Sequence, residues 1–310
     1  MHNIMRYIRR NRKKIILAGL ILVAVFAAVN MLNYIGGMGF KTSSNKSNIY
    51  NESNGTIKSE SSAVTGGSVS RNEIKKVNNK IEEFVSFCND NNIEEAYNLL
   101  STDCKNELYQ TIDDFKNYYY VQLFSDKKRN YTIENWIDDT YMVRFTQDLL
   151  ATGKPVNDSS YLDYITIVEE NGEKKLNINK FIGIQEINKS EEVENVKIEV
   201  ISRIKYMDFE KYNIKIENNT NGDILLDQLL DTKRIYLKDN NDMKHYSYSN
   251  EIVKDDLLVY AKHSKNIQIK FDNPYITGRK IKTLCFSEVV FDYDPQNYGS
   301  IKVNKISINI

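Results

Sequence analysis

Residues 70–108 read SRNEIKKVNNKIEEFVSFCNDNNIEEAYNLLSTDCKNEL. Ser70-x-x-Glu73 is a capping box, in which a serine hydroxyl accepts the N–H three residues on. Behind it Ile74, Val77, Ile81, Phe84, Val85 and Cys88 recur at helical spacing, with Lys and Glu on the opposite face. That pattern is an amphipathic helix that must lay one stripe on a core. Asn91-Asn92 ends it, and Asn92-x-x-Glu95 caps a second helix carrying Ala96, Leu99 and Leu100. Thr102 or Asp103 starts a third short helix, and Thr111-x-x-Asp114 opens a fourth with Ile112, Phe115, Tyr119 and Leu123.

Outward from this stretch the period changes. Tyr131 to Ile137, Tyr141 to Leu149 and Tyr161 to Val168 alternate, and Asn171-Gly172 is a hairpin signal leading into Leu176 and Ile178. Helices followed by an antiparallel meander predict an α+β domain over 71–188, with the helices on one face of a curved antiparallel sheet. After Lys189 no long helix is indicated. Short alternating runs recur: Val196 to Val200, Tyr212 to Ile216, Ile235 to Leu237, Ile267 to Phe271, Ile281 to Tyr293 and Ile301 to Ile310. Asn218-Asn219-Thr220-Asn221-Gly222 is a turn among them. About seven strands at this spacing predict an all-β sandwich over 189–310.

The order of elements in the first domain resembles the nuclear transport factor two superfamily, a cone-shaped α+β fold. The resemblance rests on NNIEEAYNLLSTDCKNEL (91–108), TIDDFKNYY (111–119) and the closing LNINKFIGI (176–184). It covers roughly residues 70–187 and includes no catalytic motif. Such a domain held outside a membrane by one anchor is similar to scaffold subunits of type IV secretion and conjugation machines, which work by contacting other subunits. The texture of YNIKIENNTNGDILLD (212–227) through NIQIKFDNPY (266–275) resembles immunoglobulin-like accessory domains of Gram-positive surface proteins, without their stapling cysteine pair.

The N-terminal side decides location. Residues 1–14 carry Arg6, Arg9, Arg10, Arg12, Lys13 and Lys14 and no acid. Ile15 to Val29 is an unbroken run of 15 apolar or small residues, and tolerating Asn30 and Asn33 extends it to 21 at Ile35. At about 1.5 Å per residue, 21 residues cross a hydrocarbon core of about 30 Å. The positive-inside rule then predicts a cytoplasmic tail (1–14), a transmembrane anchor (15–38) and an extracytoplasmic remainder. A cleaved signal peptide ending near Val25-Phe26-Ala27 is the alternative, and it also exports the remainder, as a secreted protein. Residues 41–70 hold nine Ser, four Asn, three Gly and three Thr. Such a composition cannot offset its chain entropy, so 39–70 is predicted to be a disordered linker.

Charge and motifs then exclude several function classes. Residues 71–187 carry 14 basic against 21 acidic side chains, and 188–310 carry 19 of each. An acidic domain followed by a neutral one argues against nucleic acid. Three cysteines (Cys88, Cys104, Cys285) make no disulfide framework. Cys88 and Cys104 could bridge neighbouring helices, but all three read first as small buried hydrophobes. His2, His245 and His263 lie at no ligand spacing, and no phosphate-binding glycine motif occurs. Asp239-Asn-Asn-Asp242 and Asp292-x-Asp294 read as turns before they read as calcium loops. The superfamily's isomerases and dehydratases place Asp, His or Tyr inside the cone, yet 71–188 contains no histidine. Its paired acids Asp113, Asp114, Asp138 and Asp139 fit capping and turn roles. Tyr118-Tyr119-Tyr120, consecutive on a helix, point in different directions.

These readings predict a non-enzymatic, membrane-anchored binding or assembly protein of the cell envelope, such as a subunit of a conjugation or secretion apparatus. Its partners would be the bilayer, through 15–38, and other envelope proteins or a second copy. No cofactor or metal is expected. The alternative is a small-ligand binder or isomerase-type enzyme using the cone pocket.

Overall fold

Turn chemistry sets the strand pairing. Asn171 and Gly172 sit at φ 53° and 79°, the tight reversal whose twist matches its flanking strands, and Glu170 pairs with Glu173 across it. The computed structural model describes residues 51–52, 55–59, 62, 64, 70–125, 128–147, 160–227, 234–248, 251–296 and 302–310. The chain is mostly β, with few helices.

The first sheet follows chain order: β1 (Asn51–Glu52), β2 (Gly55–Ser59), β3 (Arg129–Ile137), β4 (Thr140–Gln147), β5 (Tyr161–Glu170) and β6 (Glu173–Asn177). All pairs are antiparallel except β2 with β3. Helices α1 (Arg71–Asn89), α2 (Ile93–Asn98) and α3 (Thr102–Leu108) precede β3. So does a composite helix, made of α4 (Ile112–Phe115), a π-helical turn (Lys116–Tyr120) and α5 (Val121–Leu123). Ser70 caps α1 by accepting from Glu73 N, and Thr111 and Asp114 form a complete capping box. Asn92 occupies the N-cap position of α2 but makes no side-chain cap bond. Its backbone oxygen accepts from Ala96 instead.

One hydrophobic cluster joins helices to sheet. Ile74, Val77, Ile81, Phe84, Val85 and Cys88 of α1 are all buried, with Phe115 and Tyr119, against Tyr131, Ile133, Val143, Phe145 and Ile165. Truncating a fully buried ring such as Phe84 to alanine costs about 3–5 kcal/mol.

Residues 39–70, predicted to be a disordered linker, contain two strands. β2 adds to the first sheet beside β3, with Ile57 buried. Composition averaged over thirty residues hides one apolar side chain that a sheet edge can bury. Gly55 permits the approach, since a Cβ there would lie 2.2 Å from the Tyr131 ring. Among the described residues no helix is long and apolar enough to cross a membrane. The predicted tail and anchor, 1–14 and 15–38, lie outside the described residues.

β7 (Phe181–Val193) then runs unbroken through the predicted domain boundary at 188/189. It opens a four-stranded antiparallel sheet in the order β14 (Ser264–Phe271), β9 (Glu210–Asn218), β8 (Val196–Tyr206), β7. The third sheet is built on β15 (Ile281–Phe291). One of its sides pairs with β16 (Lys302–Asn309), the other with β11 (Ile235–Asp239) and β10 (Ile224–Leu225). β12 (Lys244–Tyr246) and β13 (Leu258–Val259) extend β11 and β10. A short helix, α6 (Lys254–Leu257), precedes β13. The two sheets share a second core, Val196, Ile198, Val200, Ile214 and Ile216 meeting Leu237, Leu284, Phe286, Val290 and Ile306.

The β7–β8 hairpin serves both cores. Val200 lies opposite Ile214, but the next pairs are Ser202 with Asn213 and Arg203 with Tyr212, so Ile201 is an extra residue. A one-residue bulge exchanges the faces of a strand. Val196, Ile198 and Val200 therefore enter the second core, while Ile204 and Tyr206 enter the first. β7 bulges in step, between Glu186 and Lys189. Phe181 and Ile184 join the first core, Ile187 and Val193 the second.

Candidate functional site

Within the first core stands one fully buried carboxylate, Asp163 on β5. Its Oδ1 accepts from the backbone N–H groups of Tyr164 (2.7 Å) and Lys180 (3.0 Å). Its Oδ2 accepts from Asn179 N–H (2.9 Å) and from the Tyr119 hydroxyl (2.9 Å). Asn179 and Lys180 can present adjacent N–H groups because both adopt positive φ, 57° and 64°. Burial pushes the Asp163 pKa above the usual carboxylate range, against the opposing pull of these hydrogen bonds. Tyr119 is likewise raised, by burial first and by the Asp163 charge second. Its ring stacks beside Phe115 at 5.8 Å and meets Tyr109 edge-on at 6.2 Å. The wide π-helical turn lets Tyr119 and Tyr120 both face inward, while Tyr118 is 64% exposed.

Two clefts flank the part of β8 that follows its bulge, and Lys205 lines both. Neither is lined by Asp163 or Tyr119. The first measures about 370 Å³ and has Gln185, Arg203 and Lys205 on its strand side. The loop Tyr275–Ile281 and the β3–β4 turn at Asp138 complete it. Tyr275 ties these parts together: its N–H donates to Met207 O (2.9 Å) and its hydroxyl to Asp138 Oδ2 (2.6 Å). Burial and the Asp138 carboxylate raise the Tyr275 pKa.

Four cations, Arg203, Lys205, Arg279 and Lys280, line this cleft against one side-chain carboxylate, Asp138, with Ile310 also on its wall. The Arg203 Nη2 donates to the buried Glu210, which also accepts from the Tyr212 hydroxyl (3.1 Å). Arg203 Nε, although buried, has no hydrogen-bond partner among the described residues. Arg279 donates to Asn273 Oδ1 (2.7 Å) and Pro274 O (3.1 Å) and stands 3.9 Å from Asp239. Burial, then the neighbouring Arg203, lowers the Lys205 pKa.

The second cleft, about 400 Å³, is acidic, with Asp103, Glu169 and Glu170 opposite Lys205. Thr102 N–H donates to Glu170 Oε2 (3.0 Å), and the Thr102 hydroxyl donates to the other oxygen. These two bonds hold the Glu170 pKa low.

Most residues singled out from sequence hold local roles. Asp114 is a cap and Asp138 the acceptor for Tyr275. Asp239 accepts from Asn241 and Met243 N–H and faces His245 Nε2 at 3.1 Å. Asp242 pairs with Lys238, and Asp294 accepts from Gln296 N–H. Cys88, Cys104 and Cys285 are buried free thiols, and burial raises Cys104 to about 12. No group of three or more His, Cys, Asp or Glu among the described residues is arranged to hold a metal ion. The six basic residues of 1–14 (Arg6, Arg9, Arg10, Arg12, Lys13, Lys14) lie outside the described residues. Sequence reading missed Asp163, although it shares strand parity with the buried Ile165 and Ile167. It also missed Arg203 and Lys205, whose orientation depends on the bulge. No protein-family model, curated protein or solved structure matches this chain.

Proposed function

We propose that this chain is a single-pass, extracytoplasmic binding or assembly protein of the cell envelope, such as a subunit of a conjugation or secretion apparatus. In this reading residues 15–38 are the anchor, with the basic tail 1–14 in the cytoplasm. The first lobe is then a cone of the nuclear transport factor two type and the second an immunoglobulin-like module. The observation that carries the reading is the filled interior of the first lobe. Tyr109, Phe84, Phe115 and Tyr119 are buried there and pack ring against ring. Asp163 spends its acceptor capacity on four donors of the protein itself. Accessible surface among the described residues includes the two clefts, and Ile112, Tyr118 and Val121 exposed on the composite helix.

The alternative, an isomerase-type enzyme, asks for a buried Asp–Tyr pair facing a cavity. Asp163 and Tyr119 form such a pair, but they line neither cleft. The test is cross-linking in intact cells followed by affinity capture from membranes. Recovery of defined envelope partners, with the region beyond residue 38 cleaved by protease added outside, is the expected outcome. A wholly cytosolic product would overturn the reading.

A further inference from the structure

The first cleft has an electrostatic arrangement that its own residues do not complete. Lys205 and Lys280 make no ion pair among the described residues. Arg203, next but one to Lys205 on the same strand face, keeps a buried Nε–H without an acceptor. An orphaned buried donor is destabilising, and like charges brought together in a partly buried cleft add to that cost. The bulge at Ile201 is what turns Arg203 and Lys205 toward this space. The same backbone feature that divides β8 between two cores therefore creates the cationic wall. Asp138, the lining side-chain carboxylate, is already engaged by the Tyr275 hydroxyl.

We propose that this cleft binds a phosphate-type oxyanion, with Lys205 and Lys280 as its donors and the Arg203 charge behind them. The donors come from separate elements, the β8 strand and the 275–281 loop. A tetrahedral group presents oxygens in several directions and suits them better than a planar carboxylate, whose two oxygens share one edge. A volume of about 370 Å³ admits a phosphate with a small organic body attached. That body could be a soluble phosphate ester or the headgroup of a lipid, and the chemistry at the cations is the same for both. The site stands whether or not the chain is anchored in a membrane.

The experiment uses the full chain in phosphatidylcholine nanodiscs at fixed ionic strength. Glycerol 3-phosphate is titrated while hydrogen exchange is followed over 274–281. Saturable protection is expected. Lys205→Gln and Lys280→Gln should each weaken binding about tenfold, as expected for one lost charge-assisted hydrogen bond. Lys305→Gln, an exposed change on β16 outside the cleft, should leave binding intact. Lys280 is itself exposed, so its variant keeps the test open if Lys205→Gln disturbs folding. A parallel series in phosphatidylglycerol nanodiscs without added ester identifies the source. Protection there that is lost in both lysine variants, with none from the soluble ester, assigns a lipid headgroup. Protection by the ester assigns a free phosphate compound. The basic tail is common to every variant and cancels. Equal protection by succinate, unchanged affinity in both lysine variants, or no protection in either series would overturn the proposal.

Discussion

Asp163 is the residue on which the first core is most exposed to chemical change. Asp163→Asn keeps the shape but turns an acceptor into an NH2 that faces the Asn179 N–H. That leaves donors unmatched in a dry site and is expected to destabilise the fold by about 3 kcal/mol, read from urea unfolding midpoints. The wild-type group also gives a pH dependence of definite sign. Its folded pKa is raised, so its contribution is fully present below the unfolded value of about 3.9. That contribution is lost as pH climbs through the raised folded value. Stability of the wild type relative to Asp163→Asn should therefore shrink as pH rises from the acid side, which unfolding curves across a pH series would record. At this scale the sequence is partly legible. Asp163 sits two positions before Ile165 on the inward face, a polar residue where the alternation demands an apolar one. Its acceptor role was not legible, because two of its donors are backbone groups of a distant turn in left-handed conformation.

Among elements, the bulges and the glycine approach matter most. Deleting Ile201 would close the bulge and restore regular pairing, with Ser202, Arg203 and Ile204 kept opposite Asn213, Tyr212 and Lys211 and therefore on their present faces. This variant is therefore expected to fold with both cores retained, by circular dichroism and exchange, and loss of either core would contradict this account of the bulge. Gly55→Val has a local target. The new side chain would overlap the Tyr131 ring, so hydrogen exchange should rise across Gly55–Ser59 while the global midpoint moves little. Caps and the 3.6-residue period made α1 and the Thr111–Asp114 box readable to within a residue or two. β10, β12 and β13, at two or three residues each, are too short to show alternation. The π-helical turn left no mark either, since YYY fits any helical winding.

The described residues form two hydrophobic cores, with strands common to both. Their existence was legible in the helices that open 71–188 and in the run of short strands without a long helix after Lys189. The absence of a linker between them was not, because IGIQEINKSEEV reads as polar connection until β8 is placed beside it. Because β7 and β8 enter each core in turn, residues 51–310 should unfold in one cooperative step, with calorimetric and van't Hoff enthalpies agreeing. Two resolved transitions would contradict this. The same pair of strands governs how the protein would answer a mechanical load. With no swivel between the halves, a pull along β7 shears its ladder to β8. In that geometry many hydrogen bonds must give way at once instead of unzipping singly. A chain built this way passes tension along these strands like a strut, and yields by rupture before it yields by bending.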